Sequence, residues 1–405
     1  SQENFTLHFS DSIGQNTDKD FWLHYKFLEN GNGFIEAIDE FGLTYERTIE
    51  FQKTSNLQID FKFSYKGLKP NSISEIVVFY QNKLNPQNKY YKIYKLNQFE
   101  LEDFLEQYNL GKLIFYDGIL EGIENSNYKI FMQEGNFILT LFEKRVDSKD
   151  IPFFMNLQKH LSNHGFHCPV PIENKNKDII SLLCNKKAII ISFLEGKKID
   201  NPQSHHCLQV GKMISKFQQI TKSFDNTRKN TLDINNWKFI FSKCLEVTNH
   251  DFKDLIEPIK NELNYLQQCW PKNLPQGIIH GDLFKDNIFF KNGKLTGLID
   301  FYFSCNDFYT YELAITTNAW CFDTKDGFNK NNFDSLLNGY QKNSDISNDE
   351  KKYFNTILRG AAMRILVTRL HDQLFHLDGA LVNPKDPIEY FNILKWHQEN
   401  SVFNS

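Results

Sequence analysis

The sequence lacks a long apolar run. The longest clean one, Ala188–Ile191, is far too short to cross a bilayer, and no basic stretch precedes an apolar N-terminal segment. Neither a membrane span nor a secretory signal is therefore expected. Also missing is any C-x-x-C pair. The seven cysteines, at positions 168, 184, 207, 244, 269, 305 and 321, are scattered and odd in number. That pattern argues against a zinc site and for reduced thiols in a cytosolic protein. Nor does charge of one sign dominate: 46 Lys and Arg against 50 Asp and Glu leave a net charge of −4, too weak a field to expect nucleic acid or an anionic membrane as partner. Ser1 in place of Met fits a processed or trimmed chain. What is plentiful says less. A length of 405 residues gives room for two or three domains and a substantial core, and the 40% apolar content is ordinary for a globular protein. The 38 Phe, with many Asn, Lys and Ile, read as genome-level bias.

Chemistry concentrates in Gly277–Phe301, GIIHGDLFKDNIFFKNGKLTGLIDF. The segment reads as short strands around a tight loop, with Asn292–Gly293 as a hairpin turn. Asp282 and Asn287 stand five apart on one loop, and Asp300 follows the hairpin. Any one of these residues reads first as a turn cap. The ordered set H-x-D-x4-N, hairpin, I-D-F supplies what hydroxyl phosphorylation needs. A carboxylate orients the alcohol and accepts its proton, while an amide and a second carboxylate hold Mg²⁺. The context matches the catalytic and metal-binding loops of protein-kinase-like folds.

Residues 1–95 have a texture of their own: FTLHFS, FWLHYKFL, LTYERTIEFQ, LQIDFKFSYKG, EIVVFYQ and KYYKIYKL alternate apolar and polar residues. They predict a small all-β accessory domain whose role is not legible. Residues 96–196 predict a kinase-like small lobe. A helix at Phe99–Tyr108 leads into strand, Gly-containing turn, strand, turn, strand, and then a helix over Asp150–Asn163. Gly118, Gly122, Asn125, Ser126 and Asn127 form the turn whose backbone N–H groups would cover nucleotide phosphates, although two glycines four apart also suit a plain hairpin. A strand over Ala188–Phe193 runs into Leu194-Glu195-Gly196, a hinge whose Ser192, Phe193 and Leu194 offer main-chain groups to an adenine edge. Residues 197–405 predict a helical large lobe, with helices at Ser204–Ile220, Asn236–Val247, Phe252–Trp270, Tyr309–Phe322, Lys351–His371 and Pro384–Asn400. The expected fold class is α+β, a bilobal protein-kinase-like fold preceded by the all-β domain.

From about Gln98 to Gln398 the chain resembles the homoserine kinases built on the aminoglycoside-phosphotransferase and choline-kinase fold. HGDLFKDN is a phosphotransferase-wide signature. EGIENSNY, FILTLFEKRVDSKDIPFF, GLIDFYFSCND, YELAITTNAWCF, LRGAAMRILVTRL and NPKDPIEY carry the more particular likeness. The resemblance implies ATP-dependent phosphorylation of the L-homoserine hydroxyl, on the route to threonine. It implies Asp282 as catalytic base and Asn287 and Asp300 as Mg²⁺ ligands, with His280 bracing the loop. Where such lobes place a phosphate-holding Lys this chain has Thr140, so Lys144, two strand steps on, is the candidate substitute. The next helix has Gln158 and no central Glu, and Glu312 stands where the wider superfamily favours Asp.

Homoserine carries a carboxylate, an ammonium and a hydroxyl. Arg364 is the expected carboxylate partner, because a guanidinium fork matches a carboxylate, and Arg369, five residues on, lies on another face of the helix. Asp307 is expected to take the ammonium, with Asn318 and Trp320 as pocket walls; an internal Arg364–Asp307 ion pair is the alternative. Relatives of this fold also phosphorylate choline, ethanolamine or aminoglycosides. Trp320, Tyr302 and Phe303 offer the aromatic cage choline needs. A non-enzymatic pseudokinase or binding module is the third reading. Oligomeric state is not legible.

Overall fold

The computed structural model describes residues 98–119, 125–142, 149–184, 186–247, 251–323, 327–375 and 384–403, and the backbone of the strands between residues 4 and 93. These fall into two compact units. One holds the residues up to Phe142 with Glu173–Ala188; the other holds the remainder up to Ile172 and from Ile189 onward.

The first unit begins with the strands expected for residues 1–95: β1 (Asn4–Asp11), β2 (Trp22–Phe27), β3 (Asn32–Ile38), β4 (Thr44–Tyr45), β5 (Arg47–Ser55), β6 (Gln58–Tyr65), β7 (Ile73–Asn82) and β8 (Asn85–Ile93). One sheet has the order β1-β7-β8 and another β2-β3-β5-β6, with β4 on β3. Then come α1 (Gln98–Leu105), β9 (Leu113–Ile119), β10 (Asn125–Met132), β11 (Gly135–Phe142), β12 (Ser181–Leu183) and β13 (Lys186–Ser192), whose residues from Ile189 on are counted with the second unit. The last five strands form a sheet of order β12-β13-β11-β10-β9. Alternation dictates which face is covered: Tyr128, Ile130 and Met132 of β10 are buried while the residues between them are partly exposed. Leu101, Phe104 and Leu105 at helical spacing bury one face of α1, and the Tyr108 hydroxyl donates to Ser181 Oγ at 3.1 Å.

The second unit is mostly helical: α2 (Ile151–Asn163), α3 (Ser204–Thr221), α4 (Ile234–Cys244), α5 (Ile256–Cys269), α6 (Tyr309–Trp320), α7 (Lys330–Tyr340), α8 (Asn348–Leu374) and α9 (Ile388–Glu399). Short strands β14 (Gln276–Ile279), β15 (Ile288–Lys291), β16 (Lys294–Leu298) and β17 (Cys305–Phe308) lie between α5 and α6. The helix starts follow local chemistry. Pro152 occupies the first turn of α2, Asp233 caps α4 through the Asn236 N–H, and Ser347 with Glu350 forms a capping box on α8. The helix expected over Phe252–Trp270 is divided: a 3-10 turn at Lys253–Leu255 precedes α5. Pro258 explains the break, since it is tolerated in a first turn and not seven residues into a continuous helix. Both α7 and β17 escaped the sequence reading. KNNFDSLLNGY is polar and carries an Asn-Gly pair, so its five buried positions, Asn332, Phe333, Leu336, Gly339 and Tyr340, are a weak stripe.

Helices α3 and α7 pack backbone to backbone. A Cβ on Gly211 would stand 2.1 Å from the Leu336 carbonyl oxygen, and one on Gly339 would stand 2.1 Å from that of Leu208. The Tyr340 hydroxyl then donates to Gln218 Oε1 at 2.7 Å across the same contact. Among the described residues, no helix is long and apolar enough to cross a membrane. Gly211→Ala is expected to destabilise the protein by about 1–3 kcal/mol, because the added methyl overpacks a rigid backbone contact. A lowered urea midpoint with unchanged slope would show it; an unchanged midpoint would contradict the contact.

Candidate active site

Strand β14 ends at Ile279 and delivers His280, Gly281 and Asp282 into the loop, with β17 antiparallel beside it and Ile279 opposite Cys305. After a 3-10 turn at Lys285–Asn287, β15 and β16 form the hairpin expected from Asn292–Gly293, both at positive φ (53° and 74°). The hairpin sets Asn287 beside Ile299: the Ile299 N–H donates to the Asn287 carbonyl at 3.0 Å. Asp300 follows at once, in the left-handed region at φ 63°, a conformation Asp tolerates and one that clusters at functional sites. Asn287 Nδ2 donates twice to Asp282, to its carbonyl at 2.8 Å and its Oδ2 at 2.9 Å. Asp282 and Asn287 are thus parts of one hydrogen-bonded unit, and Ile299, the residue before Asp300, is bonded to it.

His280 is fully buried, and its ring is read from its partners. The Asp282 N–H can only donate, so Nδ1 accepts it at 3.3 Å; the Ile299 carbonyl can only accept, so Nε2 donates to it at 3.0 Å. The ring is neutral with its proton on Nε2, and burial accordingly pushes its pKa down to about 3. His280 braces the loop, as expected, and does not titrate near neutrality.

Glu312 lies at 0% exposure in α6, and its carboxylate accepts the backbone N–H groups of both His280 and Gly281, the latter at 3.1 Å. Burial pushes its pKa up to about 8, against the pull of those two donors and of Arg364. Gly281 has φ 78°, and a Cβ there would meet the Phe303 carbonyl at 2.8 Å, so only glycine lets the loop pass. Trp320 Nε1 adds a third support, donating to the Leu283 carbonyl at 3.0 Å.

Other expected residues fall in different places. Trp320 and Asn318, expected as pocket walls, are core residues at 1% and 2% exposure. Asn318 spends its side chain on the Leu358 carbonyl and His397, because the face of α6 that carries it packs on α8 and α9. Arg364, expected at a substrate carboxylate, is buried, with Nη1 donating to the Gly281 carbonyl and Nη2 lying 3.5 Å from Asp282 Oδ1. Its ion-pair partner is therefore Asp282 and not Asp307. Arg369 is structural, paired with Glu389 at 2.6 Å. Asp307 accepts from Asn230 Nδ2 and from the Phe308 N–H, each at 2.7 Å, and burial raises its pKa.

In the first unit, Gly118 lies in β9 opposite Tyr128, and Asn125, Ser126 and Asn127 open β10. Thr140, at the place of the usual Lys, is buried and donates to Asn127 Oδ1 at 2.7 Å, a hairpin brace and not a phosphate contact. Gly122 and Lys144 lie outside the described residues. In the second unit, Gln158 Oε1 is buried with no partner among the described residues. The Ser192 N–H donates to the Val170 carbonyl at 2.9 Å, so that N–H is already committed within the protein. What sequence reasoning missed are the contacts of Trp320 and Arg364 with the loop; they depend on helix packing, for which no local signal exists.

Glu312 has a pH consequence. Its pKa is raised from an ordinary 4.5 to about 8, so the folded protein binds more protons across that window and its contribution to stability is lost as pH rises through 8. His280 and His397, both lowered from 6.5 to about 3, act oppositely and only below 6.5. The thermal unfolding temperature is expected to fall between pH 6.5 and 8 in the wild type and to stay flatter in Glu312→Gln. The variant also loses an acceptor for one N–H, at a cost of about 1–3 kcal/mol. Parallel profiles would remove Glu312 as the cause.

The phosphotransferase enzyme family is matched over residues 117–344. A homoserine kinase of Nitrobacter hamburgensis is 43% identical over 302 residues, covering 74% of this chain and 92% of that one. One of Agrobacterium fabrum is 42% identical over 299 residues, covering 74% and 93%. Among solved structures, an amicoumacin kinase in complex with AMP-PNP, Ca²⁺ and Ami aligns with TM-score 0.60 at 14% identity over 76% of this chain and 94% of that one. A microcompartment-associated aminopropanol kinase aligns with TM-score 0.55 at 11% identity, over 75% and 94%. These two bear on the fold alone, which is the protein-kinase-like one expected. By its matched domain and its identity to curated relatives, the chain belongs to the phosphotransferase enzyme family and, within it, to the homoserine kinases.

Proposed function

We propose that the protein transfers the γ-phosphoryl group of ATP to the hydroxyl of L-homoserine, with Asp282 as the catalytic carboxylate. The observation that carries the proposal is the double donation from Asn287 to Asp282 together with the Ile299–Asn287 bond. These tie the Asp282 carboxylate to Asn287 and hold Ile299, the residue before Asp300, to the same loop. Asn287 turns its NH₂ on Asp282 and so keeps Oδ1 as its ligand atom, and Asp300 supplies a second hard oxygen; both suit Mg²⁺. Asn287 and Asp300 would hold the ion, which when bound neutralises charge on the phosphates. In a loose phosphoryl-transfer transition state the alcohol proton leaves late, so Asp282 chiefly orients the hydroxyl and takes the proton at the end.

The nucleotide contacts proposed are backbone groups of the β9–β10 hairpin, with Gly118, Asn125, Ser126 and Asn127, and of Phe193 and Leu194 after β13. Asp307 is proposed for the substrate ammonium. A carboxylate offers four acceptor sites, and Asn230 and Phe308 use two. Burial raises its pKa, so an arriving cation supplies the missing counter-charge. The cytosol is the proposed compartment, in keeping with seven free cysteines.

A choline acceptor loses its support. Trp320 is buried against Leu283, Tyr302 sits edge-on to Phe154 at 5.6 Å, and Phe303 lies under Arg364. No aromatic cage is left among the three.

Coupled ADP release with Mg·ATP and a panel of L-homoserine, serine, choline, ethanolamine and an aminoglycoside tests the proposal. Turnover is expected on homoserine, and Asp282→Asn is expected to lower it on the order of a hundredfold or more while ATP binding stays intact. Near-normal turnover in the variant would remove Asp282 from its role, and turnover confined to another acceptor would overturn the substrate.

A further inference from the structure

Arg364 is a charged side chain at 4% exposure in the middle of α8, flanked by buried Ala361, Ala362, Ile365 and Leu366. Burying a guanidinium is costly unless its donors and charge are met. Here the catalytic loop meets the charge and two of the donors. Nη1 donates to the Gly281 carbonyl, Nη2 reaches Asp282 Oδ1 at 3.5 Å, and the guanidinium lies over the Phe303 ring at 5.4 Å. Each terminal nitrogen thus spends one of its two N–H groups on the loop, while the single Nε N–H is buried and has no partner among the described residues. An arginine that clamps an incoming carboxylate does so with two N–H groups directed at the ligand; each terminal nitrogen of Arg364 instead directs an N–H at the catalytic loop.

Asp282 is consequently held on both carboxylate oxygens: Oδ2 by Asn287 Nδ2 at 2.9 Å and Oδ1 by Arg364. Asn287 comes from the same loop, so it moves with Asp282. Arg364 comes from a 27-residue helix with its own capping box, so it ties the loop to the body of the unit. We infer that Arg364 is a positioning residue, which fixes the Asp282 carboxylate and the Gly281 peptide for phosphoryl transfer and makes no contact with the substrate. The inference rests on the kinase reading above and goes beyond it in assigning Arg364 to the enzyme's own loop instead of to the acceptor's carboxylate.

Arg364→Lys keeps the charge but cannot reach both acceptors at once. With L-homoserine and Mg·ATP, kcat is expected to fall roughly 10- to 100-fold, since a misplacement near 1 Å costs about that much. The Kd values of homoserine and ATP, measured by calorimetry, are expected to stay within about twofold. In an Asp282→Asn background, followed by single-turnover kinetics, the same substitution is expected to cost no more than about twofold, because Arg364 acts through that carboxylate. Phe303→Leu, which removes the ring beneath the guanidinium, is expected to show a smaller loss of the same kind and serves if the Lys variant does not fold. A tenfold or greater rise in the homoserine Kd with kcat preserved would make Arg364 a substrate ligand. Losses that multiply in the double variant would make it a general structural residue. A wild type inactive on homoserine would instead refute the kinase reading, so the two failures are distinct.

Discussion

Both backbone groups of Gly281 are held by buried side chains. Its N–H donates to Glu312 and its carbonyl accepts from Arg364, so a carboxyl group on α6 and a guanidinium on α8 are bridged by one residue of the catalytic loop. Either group would be expensive to bury without such partners. Together they make the loop part of the helical framework, and the residues on either side inherit its position. His280 is set to brace Asp282, and Asp282 is set against Asn287. A side chain at position 281 would break the arrangement twice, by its φ and by its collision with Phe303.

Much of this was legible because it is local. The Asn292–Gly293 turn, the spacing of Asp282, Asn287 and Asp300, and the alternation in β9–β11 each follow from period or turn chemistry. The start of α2 is legible from Pro152, whereas α8 begins three residues before the expected Lys351, at the Ser347 cap, and Pro258 divides the helix expected over Phe252–Trp270. Glu312 stands in the sequence as a departure from the Asp of the wider superfamily, and its carboxyl accepts the N–H groups of His280 and Gly281.

The substrate side was less legible, for a physical reason. An arginine on a buried helix looks the same in sequence whether its guanidinium meets a ligand or a carbonyl, and only packing decides. The aromatic residues show the same limit. Trp320 reads as a pocket wall or a choline cage until α6 is seen to turn it onto Leu283. Thr140 is the converse case: it stands where such lobes place a phosphate-holding Lys, and its hydroxyl meets Asn127 across the hairpin.

The claim on which the rest depends is that a phosphoryl group passes intact from ATP to the homoserine oxygen. Phosphorus NMR of a reaction containing the protein, Mg·ATP and L-homoserine tests this without coupling enzymes. The expected result is a phosphomonoester resonance of O-phosphohomoserine growing in step with ADP. ADP appearing with inorganic phosphate alone, or no loss of ATP, would contradict it.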